Sequence, residues 1–390
     1  MLTPSPFGWI SQYFLGFFFA YGVYLPFWGL WFSDQGVSAG DIGLLVGIGF
    51  ATRCVTNLLL TPRLHNVEHL MPALRILTFM ALIFCTLHFF TGGSFWLLAL
   101  ATIGFNACFG PGIPLSDAVA NYYSKLNIID YGRSRLWGSV AFIVGSTVVG
   151  YLVNGFGSDM VVYTAMAGLL CTFILSLRSP TILPQTQIDT QHVPRPKLFE
   201  LLKQWPVVKF LLLVALIQGS HAAYYSFSAI HWKAVGVSES VIGYLWSFSV
   251  VSEVFLFAFS GRLFAGWSLR TMFLLASVAT IVRWSGLAMT NDIWLLALLQ
   301  TLHGLTFALT HYATIRYIQQ ADDRQMVPLQ SLYNAIPLGA FVAIMTAVSG
   351  WGYESWGAGI FWVMAGMAAI ALLIKLDEPK SLSIHRDEIL

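Results

Sequence analysis

Residues 178–206 read RSPTILPQTQIDTQHVPRPKLFELLKQWP, the longest passage of the chain without an apolar helical run. Nearly everything on either side is hydrophobic, and the second flank repeats the first. YGVYLPFWGLWFSDQGVSAGDIG at 21–43 returns in outline as HAAYYSFSAIHWKAVGVSESVIG at 221–243, an offset of 200. Tyr24 meets Tyr224, Gly36-Val37-Ser38 meets Gly236-Val237-Ser238, and Ile42-Gly43 meets Ile242-Gly243. Trp96-Leu97-Leu98-Ala99-Leu100 meets Trp294-Leu295-Leu296-Ala297-Leu298 at an offset of 198. An offset held over so long a range predicts two homologous halves, 1–177 and 207–390, joined by the polar linker 178–206.

Composition sets the solvent. Hydrophobic residues make up 57% of the chain and charged residues only 10%, whereas about a quarter of a soluble chain is charged. There is too little polar surface to cover a water-soluble fold, so the expected class is an all-α integral membrane protein. A net charge of +2 is too small to point to nucleic acid. Cys54, Cys85, Cys108 and Cys171 sit inside apolar runs without metal-ligand spacing and read as free, small hydrophobic residues. No basic segment precedes the first apolar run, which therefore reads as a retained span and not a cleaved signal.

A spanning helix needs about 17–25 mostly apolar residues. Such runs fall near 7–31, 41–60, 73–91, 95–116, 137–154 and 160–177, then near 207–229, 241–260, 271–290, 293–314, 328–349 and 357–375. That predicts twelve transmembrane helices in two pseudo-symmetric bundles of six. Turn residues separate them, as in Thr91-Gly92-Gly93-Ser94, Asn154-Gly155-Phe156-Gly157 and Thr290-Asn291-Asp292. With both termini cytoplasmic, Arg63, Arg75, Lys125, Arg133, Arg135, Arg178, Arg195, Lys197, Lys203, Lys209, Arg262, Arg270, Arg316, Arg324, Lys375, Lys380 and Arg386 all fall on the cytoplasmic side. Lys233 alone falls opposite, which is the asymmetry of the positive-inside rule. The linker and both termini are therefore expected on the cytoplasmic side of the membrane.

Charge within a bilayer is costly and marks a partner or a task. The intramembrane set is Arg53, Asp117, His221, Glu253, Arg283, His303 and His311, with His88 nearer a helix end. Arg53 and Glu253 stand 200 residues apart, so the halves place opposite charges at matching positions. Asn106, Gly110, Asp117 and Asn121 share one face of the fourth span, which Pro111 and Pro114 loosen. Arg135, Ser139, Phe142 and Ser146 share a face of the fifth, where Arg135 reads either as an anchor at the membrane surface or as a cavity residue. His221, Tyr224, Tyr225 and Ser228 form a polar-aromatic stripe on the seventh span, open to a packing or a lining role. His303, Phe307, Thr310 and His311 lie on one broad face of the tenth.

Twelve spans in two halves with a central cytoplasmic loop resemble the major facilitator superfamily over the whole chain. The resemblance implies a substrate site near the midplane between halves that rock to give alternating access. Of the basic loop that usually follows the second helix there, TPRLHNVEHLMPALR at 61–75 keeps only Arg63 and Arg75. Within the superfamily, IVRWSGLAMTNDIWLLALLQTLHGLTF at 281–307 resembles the ninth and tenth helices of lactose permease and its oligosaccharide–proton symporter relatives. Arg283 and His303 match that family's arginine–histidine pair, and Glu253 its eighth-helix glutamate. PLSDAVANYYSKLNIIDYGRSRLWGS at 114–139 places Arg135 on its sugar-binding arginine. Asn121 stands where a sugar-binding glutamate is expected, Thr306 where a proton-carrying glutamate is expected, and Gln300 replaces a lysine.

A further resemblance is to the bacterial 3-phenylpropionate (hydrocinnamate) permeases. It rests on AYGVYLPFW at 20–28, RLWGSVAFIVGS at 135–146 and LIQGSHAAYYSFSAIHWKAVGVSESVIGYLWS at 216–247. It implies proton-coupled uptake of an aromatic carboxylic acid. The expected substrate-binding residues are Arg135, which would meet the carboxylate, with Asn121, Tyr24, Tyr224, Tyr225 and His221. The expected coupling residues are Glu253, Asp117, His303, Arg283 and Arg53. No cofactor or metal is expected, and a monomer suffices.

Competing classes fit less well. Gly36-Val37-Ser38-Ala39-Gly40 matches a nucleophile elbow in letters, but that motif needs a strand-to-helix turn. Here it joins two membrane helices, so the chain is not read as an enzyme. No phosphate-binding glycine loop is present to couple transport to ATP. The rival transport readings are a proton symporter for an oligosaccharide or nucleoside, and a drug or metabolite exporter.

Overall fold

The computed structural model describes residues 3–60, 63–64, 66–185 and 198–377. The middle of the linker, and with it Arg195 and Lys197, lies outside the described residues, as do Lys380, Arg386 and the side chain of Arg324. The described chain is helical, in twelve apolar segments. These are α1 Pro6–Asp34, α2 Ala39–Leu60, α3 Val67–Phe90, α4 Phe95–Lys125, α5 Tyr131–Phe156 and α6 Met160–Ser176, then α7 Trp205–Ala234, α8 Glu239–Leu263, α9 Leu269–Met289 and α10 Ile293–Gln319. α11 comprises Asp323–Ala335, a π-helical turn Ile336–Phe341 and Val342–Trp356, and α12 is Ile360–Leu373. Among the described residues ten stretches are long and apolar enough to cross a membrane: α1–α5 and α7–α10 singly, and α11 with α12 as one stretch that turns at Gly357–Gly359, while α6 is a shorter apolar helix.

Several helices outrun the apolar runs that predict them. α5 starts at Tyr131 because the Asp130 side chain accepts from the Arg133 N–H and caps the helix. The polar first turn lies beyond the apolar run, where water can solvate it. Gly36 and Gly236 take φ of +81° and +91° at the turns after α1 and α7, a conformation that glycine adopts without steric cost. Ser38 then accepts from the Asp41 N–H at 3.2 Å, so the Gly-Val-Ser segment is a turn and helix start.

One end of the molecule gathers the start of α1, both described edges of the linker and the residues just after α12. Trp9 Nε1 donates to the Arg178 carbonyl at 2.8 Å, and Lys209 is ion-paired with Asp377. Arg75 Nε donates to the Ser176 carbonyl at 2.7 Å, satisfying the end of α6. Trp96 and Trp294, matched by the repeat, are 79% and 83% exposed near the opposite end.

The halves meet along α1–α7, α2–α11 and α5–α8. Without a hydrophobic drive between helices in lipid, close approach of small residues supplies contact area. A Cβ on Gly43 would fall 2.6 Å from the Gly350 Cα, and one on Gly243 only 2.4 Å from the Ser146 carbonyl. Ser146 Oγ and Ser247 Oγ lie 2.9 Å apart, and the Tyr151 and Tyr244 hydroxyls are bonded. Lys233 joins Asp34 at 2.8 Å and Glu239 at 3.3 Å. All of these contacts belong to the end away from the linker. The halves are thus sealed at that end.

Candidate functional site

Four helices change their course halfway. α4 breaks at Gly110-Pro111, α7 at Ser220-His221, and α10 at Leu302-His303 before the π-helical turn Gly304–Ala308. α11 has its own π turn. Such widened turns release backbone groups and re-aim side chains. In α10 the Gly304 N–H donates to Ser252 Oγ at 3.0 Å, which draws α10 onto α8. Gly304 is required there, because a Cβ would fall 2.8 Å from the Ser252 carbonyl. This contact brings His303 to the residue after Ser252, namely Glu253.

The C-terminal half holds a buried polar chain. Arg283 is fully buried; its Nη1 donates to His303 Nδ1 at 2.8 Å and Thr306 Oγ1 at 3.2 Å, and its Nη2 to Gln300 Oε1 at 2.8 Å. A guanidinium has only donors. His303 Nδ1 is therefore an acceptor, and the remaining ring N–H sits on Nε2, 3.6 Å from Glu253 Oε2. Thr306 Oγ1 lies 3.1 Å from His221 Nε2, while His221 Nδ1 lies 3.1 Å from the Ile217 carbonyl. The Nδ1–H thus donates to backbone, and Nε2 accepts from the threonine. Tyr224 Oη donates to Gln300 Oε1 at 3.0 Å and its ring lies 4.6 Å from the Arg283 guanidinium carbon. Tyr225 borders this group, 5.8 Å from His221 between ring centres.

The N-terminal half carries the matching cluster. Arg53 Nε donates to Asn106 Oδ1 at 2.7 Å, and Tyr24 Oη donates to the same oxygen at 3.2 Å. Asn106 Nδ2 donates back to the Thr102 carbonyl at 2.9 Å, which fixes the amide. The repeat explains the likeness: Tyr24 and Tyr224 both bond an amide oxygen that an arginine also holds. The Phe50 and Tyr225 rings face each other across the halves at 6.3 Å.

Arg135 stands apart. Its Nε lies 3.7 Å from Asp117 Oδ1, Tyr131 Oη donates to that oxygen at 3.1 Å, and Phe18 packs 4.1 Å from the guanidinium carbon. The arginine expected to meet a substrate anion is thus already beside a carboxylate. Asn121, one turn beyond Asp117, is exposed toward the linker end. Glu253 has no arginine within ion-pair distance among the described residues; its charged-type neighbour is His303. The side chains of Asp117, Arg135 and Glu253 are 26%, 32% and 25% exposed, and with the far end sealed they are reached from the linker end. His311 bonds Tyr333 Oη at 2.7 Å, away from the Arg283 group, and His88 is buried against Phe84 and Thr102.

The contacts of Tyr21, Phe50 and Trp246 are not singled out by residue type, since aromatic residues abound in such helices. The three-residue spacing of Tyr21 and Tyr24, which puts both on one helix face, is the one signal the sequence carries for them. Trp246 stacks on Tyr224 at 4.4 Å with its Nε1 buried and unpartnered.

The profile of the MFS_1 like family matches residues 9–364. A protein of Escherichia coli (strain K12) described as a probable 3-phenylpropionic acid transporter is 40% identical over 94% of this chain and 96% of its own. The maltose permease of Geobacillus stearothermophilus is 24% identical over 73% and 72%. Among solved structures, the nucleoside transporter NupG superposes with a TM-score of 0.79 at 15% identity, over 94% of this chain and 97% of that one. An inward-facing, unoccupied bacterial homologue of the lysosomal transporter Spinster gives 0.67 at 14%, over 95% of each. With twelve apolar helices among its described residues, the chain is a multi-pass membrane protein that belongs to the MFS_1-like family of major facilitator secondary transporters, and not an enzyme.

Proposed function

We propose that this transporter takes up an aromatic monocarboxylate such as 3-phenylpropionate together with a proton. The observation that carries the reading is the charge balance of the inner helices: Arg53, Arg135 and Arg283 against Asp117 and Glu253. His303 and His221 are held neutral by their bonds, so one positive charge is left over when Glu253 is ionised and two when it carries the proton, an excess that favours an anion in either state. A sugar or nucleoside would leave it uncompensated, at a cost of a few kcal/mol within a bilayer. The partly exposed ring of Tyr225, backed by the buried Tyr24, Tyr224 and His221, supplies an aromatic wall, and the likeness to the E. coli transporter supports the same substrate class.

Residues 1–177 and 207–390 act as the two moving bodies of alternating access, working as a monomer in a bacterial inner membrane with both termini cytoplasmic. Glu253, His303 and Arg283 form the coupling group, with Asp117 as the second carboxylate. The test is uptake of labelled 3-phenylpropionate into proteoliposomes with an imposed pH gradient. Saturable accumulation that a protonophore abolishes, and that maltose and uridine do not compete, is expected. Uptake of either neutral solute without competition by the acid would overturn the reading.

A further inference from the structure

We infer that Arg53 is the anchor for the substrate carboxylate, with Tyr21, Tyr24, Phe50 and Phe109 as the aromatic seat beside it. The inference rests on the proposed uptake of an aromatic monocarboxylate and assigns its two chemical parts to named residues. Of the three inner arginines, two are already engaged. Arg283 spends both outer nitrogens, Nη1 and Nη2, on His303, Thr306 and Gln300 and leaves only its inner Nε without a partner, and Arg135 lies against Asp117. Arg53 differs. Its Nε is held by Asn106, its Nη1 reaches Tyr21 Oη only at 3.5 Å, and its Nη2 is buried with no partner. Among the described residues, no carboxylate comes within ion-pair distance of it.

Its surroundings fit the rest of such a molecule. The guanidinium carbon lies 4.9 Å from the centre of the Tyr24 ring, 5.3 Å from Tyr21, 5.5 Å from Phe109 and 5.7 Å from Phe50. Ring faces attract a cation but do not neutralise it. Asn106 takes Nε, so the free edge of the fork is the Nη1–Nη2 edge, which suits two parallel bonds to a carboxylate. Asn106 cannot turn away, because Tyr24 Oη and the Thr102 carbonyl hold both ends of its amide. Phe50 meets Tyr225 of the other half. A ligand anchored on Arg53 would thus lay its ring between the halves, where its presence can bias their motion.

The test compares binding of 3-phenylpropionate and of neutral 3-phenylpropanamide to the purified transporter. In the unsubstituted protein the acid should bind more tightly than the amide. Arg53→Gln should weaken the acid by about 10- to 100-fold, the usual worth of hydrogen bonds to a charged group, while leaving the amide unchanged. Asn106→Asp supplies Arg53 with an internal carboxylate and should weaken the acid selectively, a second route should Arg53→Gln fail to fold. Asp117→Asn combined with Arg135→Gln removes a pair and leaves the charge balance unchanged, so it should keep the preference for the acid. Retention of that preference in Arg53→Gln or in Asn106→Asp, with its loss in the Asp117→Asn/Arg135→Gln protein, would move the anchor to Arg135. If the unsubstituted protein does not prefer the acid, the proposed substrate class falls first, and this assignment with it.

Discussion

Arg283 Nη1 donates to His303 Nδ1 at 2.8 Å, and this bond sets which face of the imidazole Glu253 sees. A protonated His303 would set two donors against each other at Nδ1. As long as Arg283 stays in place, His303 is a neutral ring with its proton on Nε2. Glu253 is therefore coupled to Arg283 through a ring of fixed polarity and not by direct ion pairing.

That polarity can be tested by substitution. Glutamine offers both an acceptor and a donor, whereas leucine offers neither. His303→Leu should leave the buried guanidinium short of an acceptor and cost about 1–3 kcal/mol. Thermal unfolding in detergent should show a clear loss for His303→Leu and a smaller one for His303→Gln. Equal losses would mean that ring packing, including the stack on Phe307 at 5.3 Å, matters more than the bond.

Arg135 and Asp117 form a half-exposed pair with a single 3.7 Å contact. Lysine can supply such a contact, so Arg135→Lys should keep most uptake activity. Neutralising both partners in Asp117→Asn with Arg135→Gln should do less harm than the two single changes together imply, since neither charge is left alone. Uptake rates of the four proteins check this. A loss of more than about tenfold in Arg135→Lys would point to the planar fork that lysine lacks.

The seal between α5 and α8 invites a covalent trap. Ser146 Oγ and Ser247 Oγ lie 2.9 Å apart, close enough for their cysteine replacements to meet in a disulfide with little movement. Oxidised Ser146→Cys/Ser247→Cys protein should stop transporting, and a reducing agent should restore it. Adding Gly243→Leu should suppress the crosslink, because even a Cβ there would strike the Ser146 carbonyl. Full transport by the oxidised protein would show that this seal need not open.

Much of this architecture is legible in the sequence, for stated physical reasons. Apolar runs of spanning length and the 200-residue repeat come from constraints that act on every helix, so they survive in the residue pattern. The repeat also anticipates the paired roles of Tyr24 and Tyr224. What the sequence leaves open is which buried groups actually meet. The intramembrane arginines look alike as letters, yet one has both outer nitrogens hydrogen-bonded, one lies beside a carboxylate and one has an orphaned outer nitrogen. Those differences depend on the breaks in α4, α7 and α10, whose side-chain directions no periodicity supplies. The Gly304–Ser252 contact is a case in point: a glycine and a serine, unremarked in the chain, bring His303 to Glu253.

Coupling is expected to depend on Glu253, the acid set deepest in the C-terminal half. Its carboxylate is within reach of solvent from the linker end, and it faces the Nε2–H of a neutral His303. A carboxylate in this position can accept a proton from one side and yield it to the other as the halves exchange access. It would carry the proton with the cavity open away from the linker and release it in the arrangement described above. Glutamine imitates the protonated acid in shape and charge but cannot release a proton. Glu253→Gln should therefore still exchange labelled for unlabelled substrate across the membrane at equal pH, because exchange needs no proton release. The same protein should fail to accumulate substrate when a pH gradient is imposed. Accumulation at the full rate would place the proton on another group, with Asp117, tested as Asp117→Asn, the next carboxylate in line. Loss of exchange along with accumulation would instead assign Glu253 to substrate binding or to the motion of the halves.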